Sequence, residues 1–486
     1  MNRPIRRVAL AMLVLFGLLI VNANYVQVFE GDKLRTDPGN TRVLLDEYER
    51  QRGTIVVDGR PVAESVPTND KLKYLRHYPD GSTYAPVTGF YSLIYGATGI
   101  EQAENDFLSG SDNRLFTRRL SALLTGRDPR GGNVVLTLNR TAQEAAVAGL
   151  RGQHGAVVAL DPSTGKILAM ASAPSYDPNP ISSHDPSSIR AAYNKLANDE
   201  NDPLLNRAIN ARYPPGSAFK VVVAAAALQN GRTPDTLLDC PTAYTPPGTR
   251  TALHNFGNEA CSAPKVSMQT ALTNSYNTAF AKLGVDVGES AVRTAAAGFG
   301  IGTGDALQTP LRVSPSSLGD IPDTPALAQS SIGQRDVALT PLQAAMIASA
   351  VSNNGVLMTP YLVDRVEAPD LTVLDTTQPE QLSTAVSPDV AAQLTQMMKS
   401  VVDRGTGTKA QIPGVLVAGK TGTAENAPGQ APHAWFIGFA QQNGKQVAVA
   451  VLIEHGGNSG SETTGGEAAA PIAKDVMQAV LRSGGG

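Results

Sequence analysis

Tyr213-Pro-Pro-Gly-Ser-Ala-Phe-Lys220 runs directly into an apolar segment, Val221–Leu228. Because two prolines and a glycine interrupt the incoming backbone, the pattern predicts a helix that opens at Ser217, continues to Asn230 and is capped by Gly231. The apolar residues leave no polar stripe, which is typical of a helix buried in the middle of a domain. We therefore expect the first turn of this helix to form the floor of a cleft.

The spacing of Ser217 and Lys220 favours a reactive pair. Residues three apart share a helix face, so we expect the hydroxyl and the amine to lie within reach of each other. A lysine at a buried helix start loses hydration, which lowers its pKa and lets the neutral amine take the serine proton. The S-x-x-K pattern also occurs at Ser163/Lys166 and Ser262/Lys265, and the alternative for Ser217 is a plain helix cap.

Two further short patterns carry candidate residues. Ser275 and Asn277 form S-x-N ahead of helix-like residues, and a helix cap is again the alternative. Lys420, Thr421 and Gly422 form the one K-T-G of the chain, followed by Thr423. Small residues there let a bound molecule approach a strand edge, and the lysine and hydroxyls can hold a carboxylate. The alternative is a surface strand that ends in a glycine turn.

Composition and spacing exclude several classes of function. The 40 Lys+Arg nearly balance the 43 Asp+Glu, so there is no electrostatic case for nucleic acid binding. Gly414–Thr421 matches the phosphate-loop pattern, but Val415–Ala418 within it reads as a strand rather than a flexible loop, which argues against an NTPase. His254 stands alone between the two cysteines, which gives no zinc spacing. We expect neither a metal nor a cofactor.

The N-terminus sets the compartment. Arg3, Arg6 and Arg7 precede the apolar run Val8–Val21, which predicts a short cytoplasmic start and an extracytoplasmic body. The residues after Val21 make a poor cleavage site, which favours an uncleaved signal-anchor in the cell membrane (residues 1–29) over a cleaved signal peptide.

The two cysteines, Cys240 and Cys261, are close in sequence. They are either free thiols or a local disulfide, and the compartment decides between the two. Because the body is expected outside the cytoplasm, a disulfide is chemically permitted there, and we predict that it forms.

At 486 residues the chain is long enough for two or three domains. Residues 30–133 are expected to form a polar pedestal of the dimerisation type. Residues 134–486 then read as two strands, a mainly helical insertion, three strands from Val415–Ala418 onward and a closing helix. This order predicts an α+β (mixed α/β) fold, in which an antiparallel sheet is covered by helices and carries a mostly helical subdomain.

S-x-x-K, S-x-N and K-T-G in this order are the motif set of penicillin-binding proteins and class A β-lactamases. The segments around Ser217, Ser331–Gln334 and Ala434–Gly438 resemble the penicillin-binding transpeptidase domain. Arg52–Ile55 and Gly99–Glu101 resemble signatures of the class B pedestal. Over nearly its whole length the chain is similar to short class B penicillin-binding proteins of actinobacteria. That resemblance implies a five-stranded antiparallel sheet and a peptidoglycan D,D-transpeptidase that β-lactams inhibit.

The resemblance also implies roles for the first two motifs. Ser217 is expected to be the acylated nucleophile and Lys220 its base. Ser275 is expected to relay a proton to the leaving amine, and Asn277 to hold the amide of the donor peptide. The donor is the D-Ala-D-Ala end of a peptidoglycan stem peptide, and an amine of a neighbouring stem resolves the acyl-enzyme.

For the third motif the resemblance implies substrate contacts. Lys420 is expected to supply positive potential, and Thr421 and Thr423, on either side of Gly422, to grip the substrate carboxylate. The backbone N–H groups of Ser217 and Thr423 are expected to form the oxyanion hole.

Other classes of protein fit less well. A β-lactamase needs a glutamate in an E-x-x-L-N context, which Glu289, Glu367 and Glu380 all lack, and a glycosyltransferase domain does not fit before residue 130. A D,D-carboxypeptidase shares all of these catalytic residues, and a β-lactam sensor is a non-catalytic alternative. The resemblance further implies a membrane glycan polymerase as partner in cell growth and division.

Overall fold

The computed structural model describes residues 2–30, 48–118, 130–303, 307, 309–425, 430–459 and 464–483. Residues 31–47 and 119–129 of the expected pedestal lie outside the described residues.

The helices are named in chain order. They are α1 Asn2–Phe29, α2 Gly81–Thr88, α3 Gly99–Ala103, α4 Asn105–Leu108, α5 Arg140–Gly149, α6 Pro186–Ala197, α7 Lys220–Gln229, α8 Met268–Thr273, α9 Asn277–Val287, α10 Glu289–Gly298, α11 Thr324–Ser330, α12 Pro341–Ser352, α13 Pro388–Arg404 and α14 Gly465–Arg482.

The strands are named in the same way. They are β1 Ile55–Val57, β2 Arg60–Pro67, β3 Tyr74–His77, β4 Tyr91–Ser92, β5 Gly96–Ala97, β6 Asn133–Leu136, β7 Gly155–Leu160, β8 Ile167–Ala173, β9 Leu237–Asp239, β10 Ala243–Tyr244, β11 Leu253–His254, β12 Lys265–Ser267, β13 Val356–Met358, β14 Val363–Glu367, β15 Val373–Thr376, β16 Gln381–Thr384, β17 Leu416–Ala424, β18 His433–Gln442 and β19 Lys445–Ile453.

Helix α1 is apolar, and its residues Pro4–Gln27 are exposed. Its segment Pro4–Gln27 has 24 residues and includes an 18-residue stretch with a mean hydropathy of 2.1. At 1.5 Å per residue it is about 36 Å long, enough to cross a hydrocarbon core of about 30 Å. The described residues thus contain one helix that is compatible with a single-pass membrane anchor.

The first large sheet joins distant parts of the chain, in the order β15-β14-β6-β1-β2-β3. Strand β6 runs parallel to β1 and antiparallel to β14. Strand β6 therefore joins β1, β2 and β3 to the β14–β15 hairpin, which comes more than 200 residues later in the chain. The expected pedestal consequently shares its sheet with residues of the C-terminal part.

The two pedestal signatures meet in one buried ion-pair cluster. Glu101 accepts from Arg52 Nε and from Arg76 Nε, each at 2.6 Å, and from the Tyr78 hydroxyl at 3.1 Å. Burial acts to raise the pKa of Glu101, but the charges of Arg76 and Arg52 outweigh it and hold the pKa below its ordinary value. The cluster ties β3, α3 and the residues before β1 together.

The second large sheet has five strands in the order β17-β18-β19-β7-β8, and every neighbouring pair is antiparallel. It confirms the predicted five-stranded antiparallel sheet covered by helices. Trp435 and Phe436 lie in two separate buried clusters, so both faces of the sheet are covered. Helices α5 and α14 contact the strands of this sheet, and α7, which follows Ser217, packs within the helical insertion.

The predicted strand Val415–Ala418 was too short. Strand β17 continues to Ala424, because every residue from Leu416 onward keeps a partner in β18. The K-T-G residues therefore lie inside an edge strand rather than after it. An edge strand leaves one side of its backbone available to a ligand.

Candidate active site

The predicted helix start at Ser217 is wrong by one turn. Residues Gly216–Phe219 form a 3₁₀ turn in which Ala218 N donates to Pro215 O at 3.2 Å, and α7 begins at Lys220. Short 3₁₀ turns commonly begin α-helices. As predicted, the helix behind the turn is buried, with Lys220 through Leu228 all inaccessible or nearly so.

Two glycines let this turn press against the edge strand. Gly216 has φ +52°, and a Cβ there would lie 2.4 Å from the Thr423 carbonyl oxygen. A Cβ on Gly422 would lie 2.6 Å from the Pro215 carbonyl oxygen and 3.3 Å from Ala218 N. Ser217 is thus fixed directly beside the K-T-G strand.

Lys220 is fully buried, and its amine reaches the S-x-N segment. Nζ donates to Ser275 O at 2.6 Å and to Asn277 Oδ1 at 2.7 Å, and it lies 3.4 Å from Ser275 Oγ. Among the described residues it makes no hydrogen bond to the Ser217 hydroxyl. Burial, and then the charge of Lys420, lower its pKa well below the ordinary value.

Ser275 connects the two lysines. Its hydroxyl accepts from Lys420 Nζ at 2.8 Å and lies between that amine and Lys220. Its φ of +61° places a non-glycine residue in the left-handed region, where strain is tolerated when the surroundings enforce it. The short stretch between α8 and α9 is therefore held in a specific shape, which directs Ser275 and the first residue of α9, Asn277, towards Lys220.

Lys420 is also fully buried. Besides its bond to Ser275, Nζ donates to Thr421 O at 2.9 Å, and burial lowers its pKa to about 7. The Thr421 hydroxyl is 2.5 Å from that of Thr406, so it is already held by a neighbour. Thr423 is half-buried one residue beyond Gly422. The three predicted segments thus come together around Ser275.

The sequence did not indicate the groups that hold the loop before Ser217 from behind. The Tyr213 hydroxyl donates to Glu454 at 2.5 Å, and Arg207 Nε donates to the same oxygen at 2.9 Å. Trp435 Nε1 donates to Pro214 O at 2.9 Å. Burial, with the Glu454 charge, raises the pKa of Tyr213. Tyr213 and Trp435 lie in segments that carried the resemblance, whereas Glu454, more than 200 residues from Tyr213, lies in no such segment.

The predicted disulfide is confirmed: Cys240 and Cys261 are bonded, with a Cα–Cα separation of 6.0 Å. It closes a loop that lies against α9. Within the described part of the chain, no group of three or more His, Cys, Asp or Glu side chains is arranged to hold a metal ion.

Comparison with known families shows which family the chain belongs to. A family model of the penicillin binding protein transpeptidase domain matches residues 155–478. The chain belongs to the penicillin-binding protein family. In this penicillin-binding protein, residues 52–134 match a second family model, the penicillin binding protein A dimerisation domain.

Relatives of this penicillin-binding protein cover its whole length. It is 51% identical over 496 residues to the peptidoglycan D,D-transpeptidase PbpA of Mycolicibacterium smegmatis, with 100% of each chain covered. It is 48% identical over 491 residues to that of Mycobacterium tuberculosis, with 99% of each covered.

Solved structures of the family share its fold. One is penicillin-binding protein A from M. tuberculosis as a ceftriaxone acyl-enzyme complex, with a TM-score of 0.87, 47% identity and coverage of 90% of this chain and 100% of that one. Another is the D,D-transpeptidase domain of a peptidoglycan glycosyltransferase from Eggerthella lenta, with a TM-score of 0.76, 32% identity and coverage of 89% and 98%.

Proposed function

We propose that this penicillin-binding protein is a peptidoglycan D,D-transpeptidase that cross-links stem peptides through an acyl-enzyme on Ser217. The observation that carries the proposal is the bridge between Lys220, Ser275 and Lys420 beside the Ser217 turn. Relatives of nearly half-identical sequence that are named D,D-transpeptidases support the same activity. β-Lactams are expected to acylate the same serine, since a related structure is a β-lactam acyl-enzyme.

Lys220 is suited to act as the base. A neutral amine has two hydrogens and one lone pair. The two short contacts, to Ser275 O and Asn277 Oδ1, take up both hydrogens and leave the lone pair for a proton. Burial lowers the pKa of Lys220 and so favours the neutral amine, which a general base requires.

The reaction then follows from the contacts. Ser217 Oγ attacks the carbonyl carbon between the two D-alanines, and its proton passes to Lys220. Ser275, which touches both lysines, delivers a proton to the nitrogen of the departing D-Ala. An amine of a second stem then attacks the ester carbonyl carbon and forms the cross-link, and the bond to Ser217 Oγ breaks. The proton that the amine loses passes through the same groups to Ser217 Oγ.

Substrate positioning is assigned to the K-T-G strand. Lys420, with a pKa of about 7, carries part of a positive charge at neutral pH and stabilises negative charge in the cleft. The N–H groups of Ser217 and Thr423 are proposed as the oxyanion hole, and Asn277 as a contact to the donor amide. Thr423 is proposed to bind the substrate carboxylate with Thr421, whose hydroxyl would exchange its present partner for the substrate.

The rest of the chain supports a location of this site outside the cell membrane. We propose that α1 spans the cell membrane once, with a cytoplasmic start and the remaining residues outside, as the three preceding arginines favour. Residues 30–133 are proposed as the pedestal and 134–486 as the transpeptidase domain. A membrane glycan polymerase of the growth and division machinery is the proposed partner of the anchored protein.

Transfer to an amine separates this function from hydrolysis. The full-length chain in detergent is incubated with a stem-peptide donor, with and without a D-amino acid acceptor, and the products are analysed by mass spectrometry. Product that contains the acceptor supports a transpeptidase, whereas free acid alone indicates a D,D-carboxypeptidase. If penicillin acylates the protein but no donor is turned over, the result indicates a β-lactam sensor. Ser217→Ala is the matched inactive control.

A further inference from the structure

The disulfide loop, residues Cys240–Cys261, lies directly against the S-x-N segment. The carbonyl oxygen of His254 accepts from Asn277 Nδ2 at 3.1 Å. The next residue, Asn255, accepts from the backbone N–H of Thr278 through Oδ1, also at 3.1 Å. Two successive residues of the loop therefore hold two successive residues at the start of α9.

Asn255 connects three features at once. Its side chain is almost fully buried, with 6% exposed. While Oδ1 contacts Thr278, Nδ2 donates to Glu259 O at 3.0 Å and to Cys261 Sγ at 3.4 Å. A buried amide with all of its groups engaged has one preferred position. Asn255 thus joins the loop turn and the disulfide to the first turn of α9.

The contact with the His254 carbonyl fixes the orientation of the side-chain amide of Asn277. A carbonyl oxygen only accepts hydrogen bonds, so it requires the NH₂ end of Asn277 and turns Oδ1 towards Lys220. In the reversed orientation, the NH₂ of Asn277 would donate to the lone pair of Lys220. That lone pair would then be occupied and unable to receive the proton of Ser217.

We propose that Asn255 is a positioning residue which, with the Cys240–Cys261 disulfide, holds the His254 carbonyl against Asn277 and so keeps the lone pair of Lys220 free for catalysis. Asn255 touches no reacting atom and acts through the loop and Asn277. The inference rests on the proposed acyl-transfer function of Ser217.

The test compares acylation by fluorescent penicillin in full-length variants in detergent. Asn255→Ala removes the buried amide, and a double variant, Cys240→Ser with Cys261→Ser, opens the loop while keeping Asn255. Thr251→Ala, an exposed change in the same loop, is the matched control. The acylation rate constant and the penicillin dissociation constant are measured separately from pH 5 to 9. Because rates rather than amplitudes are compared, a smaller folded fraction does not change the result.

We expect Asn255→Ala to lower the acylation rate constant by about tenfold to a hundredfold, as small misplacements of catalytic groups do, with little change in dissociation constant. The acidic limb of the pH profile should move to lower pH, because the Lys220 ammonium loses an acceptor that stabilises it. The charge of Lys420 also acts on the pKa of Lys220, and these variants do not change Lys420. A loss of folded protein alone would not shift the acidic limb of the pH profile of the acylation rate constant.

An unchanged rate constant and an unchanged limb in Asn255→Ala overturn the inference. If that variant does not fold, the double serine variant decides by the same two readouts. A wild-type chain that is not acylated at all contradicts the proposed function instead, so the two failures are distinguishable.

Discussion

Replacing Gly422 by alanine should slow acylation of Ser217 although no proposed catalytic side chain is mutated. The new Cβ would lie 2.6 Å from Pro215 O, whereas ordinary contact begins near 3.4 Å. The backbone that carries Ser217 would therefore have to retreat by about 0.8 Å. A misplacement of about 1 Å costs on the order of 100-fold in rate. This corresponds to about 2.7 kcal/mol of activation free energy.

Gly419→Ala on the same strand is the matched control. Its Cβ would meet the Phe436 ring at 2.4 Å and Ile437 O at 3.0 Å, away from the Ser217 turn. Both variants should lower the melting temperature, but only Gly422→Ala should slow acylation by fluorescent penicillin, measured by stopped flow at several concentrations. The account would be refuted if Gly422→Ala were acylated at the wild-type rate, or if both variants were slowed equally. Either result would mean that the close approach of the Pro215 backbone does not explain why position 422 is a glycine.

Three further outcomes concern buried polar and charged groups. Lys420 has a pKa of about 7 when folded against an ordinary 10.5, so between these values the unfolded chain binds a proton that the folded chain does not. The unfolding free energy should therefore rise from pH 7 to pH 10, and Lys420→Met should flatten part of that rise in urea titrations; equal slopes would contradict the burial. Glu101→Ala strands two buried arginines and should cost about 3–5 kcal/mol of unfolding free energy in the same assay, and an unchanged midpoint would sink the ion-pair account. Tyr213→Phe should slow acylation with an unchanged penicillin dissociation constant, because the loop before Ser217 loses its bond to Glu454; a change in dissociation constant alone would be the contrary result.

The side chains proposed as catalytic were predictable because each lies in a short, local motif. Ser217 and Lys220 are read from one turn, and the burial of α7 follows from its apolar sequence. The contact between Lys220 and Asn277 was not predictable from spacing, since it joins segments 57 residues apart. Helical spacing instead suggested a bond to Ser217, which the structure does not form among the described residues.

The supporting groups were missed for the same reason. Asn255 and Glu454 sit in no recognisable motif, and their partners depend on how a loop and a strand end fold back. In the pedestal, Arg52 and Glu101 were noted as separate signatures, and only the structure joins them. The pairing of the β14–β15 hairpin with strand β6 of the pedestal sheet could not be predicted either, because strands so distant in sequence leave no local pattern.

Mass spectrometry of a penicillin adduct tests the central claim most directly. The full-length protein is incubated with penicillin G, digested and mapped by peptide. We predict a mass increase of one penicilloyl group on Ser217, and no adduct in Ser217→Ala. An adduct on any other residue, or labelling that persists in Ser217→Ala, would contradict the assignment of Ser217 as the acylated nucleophile.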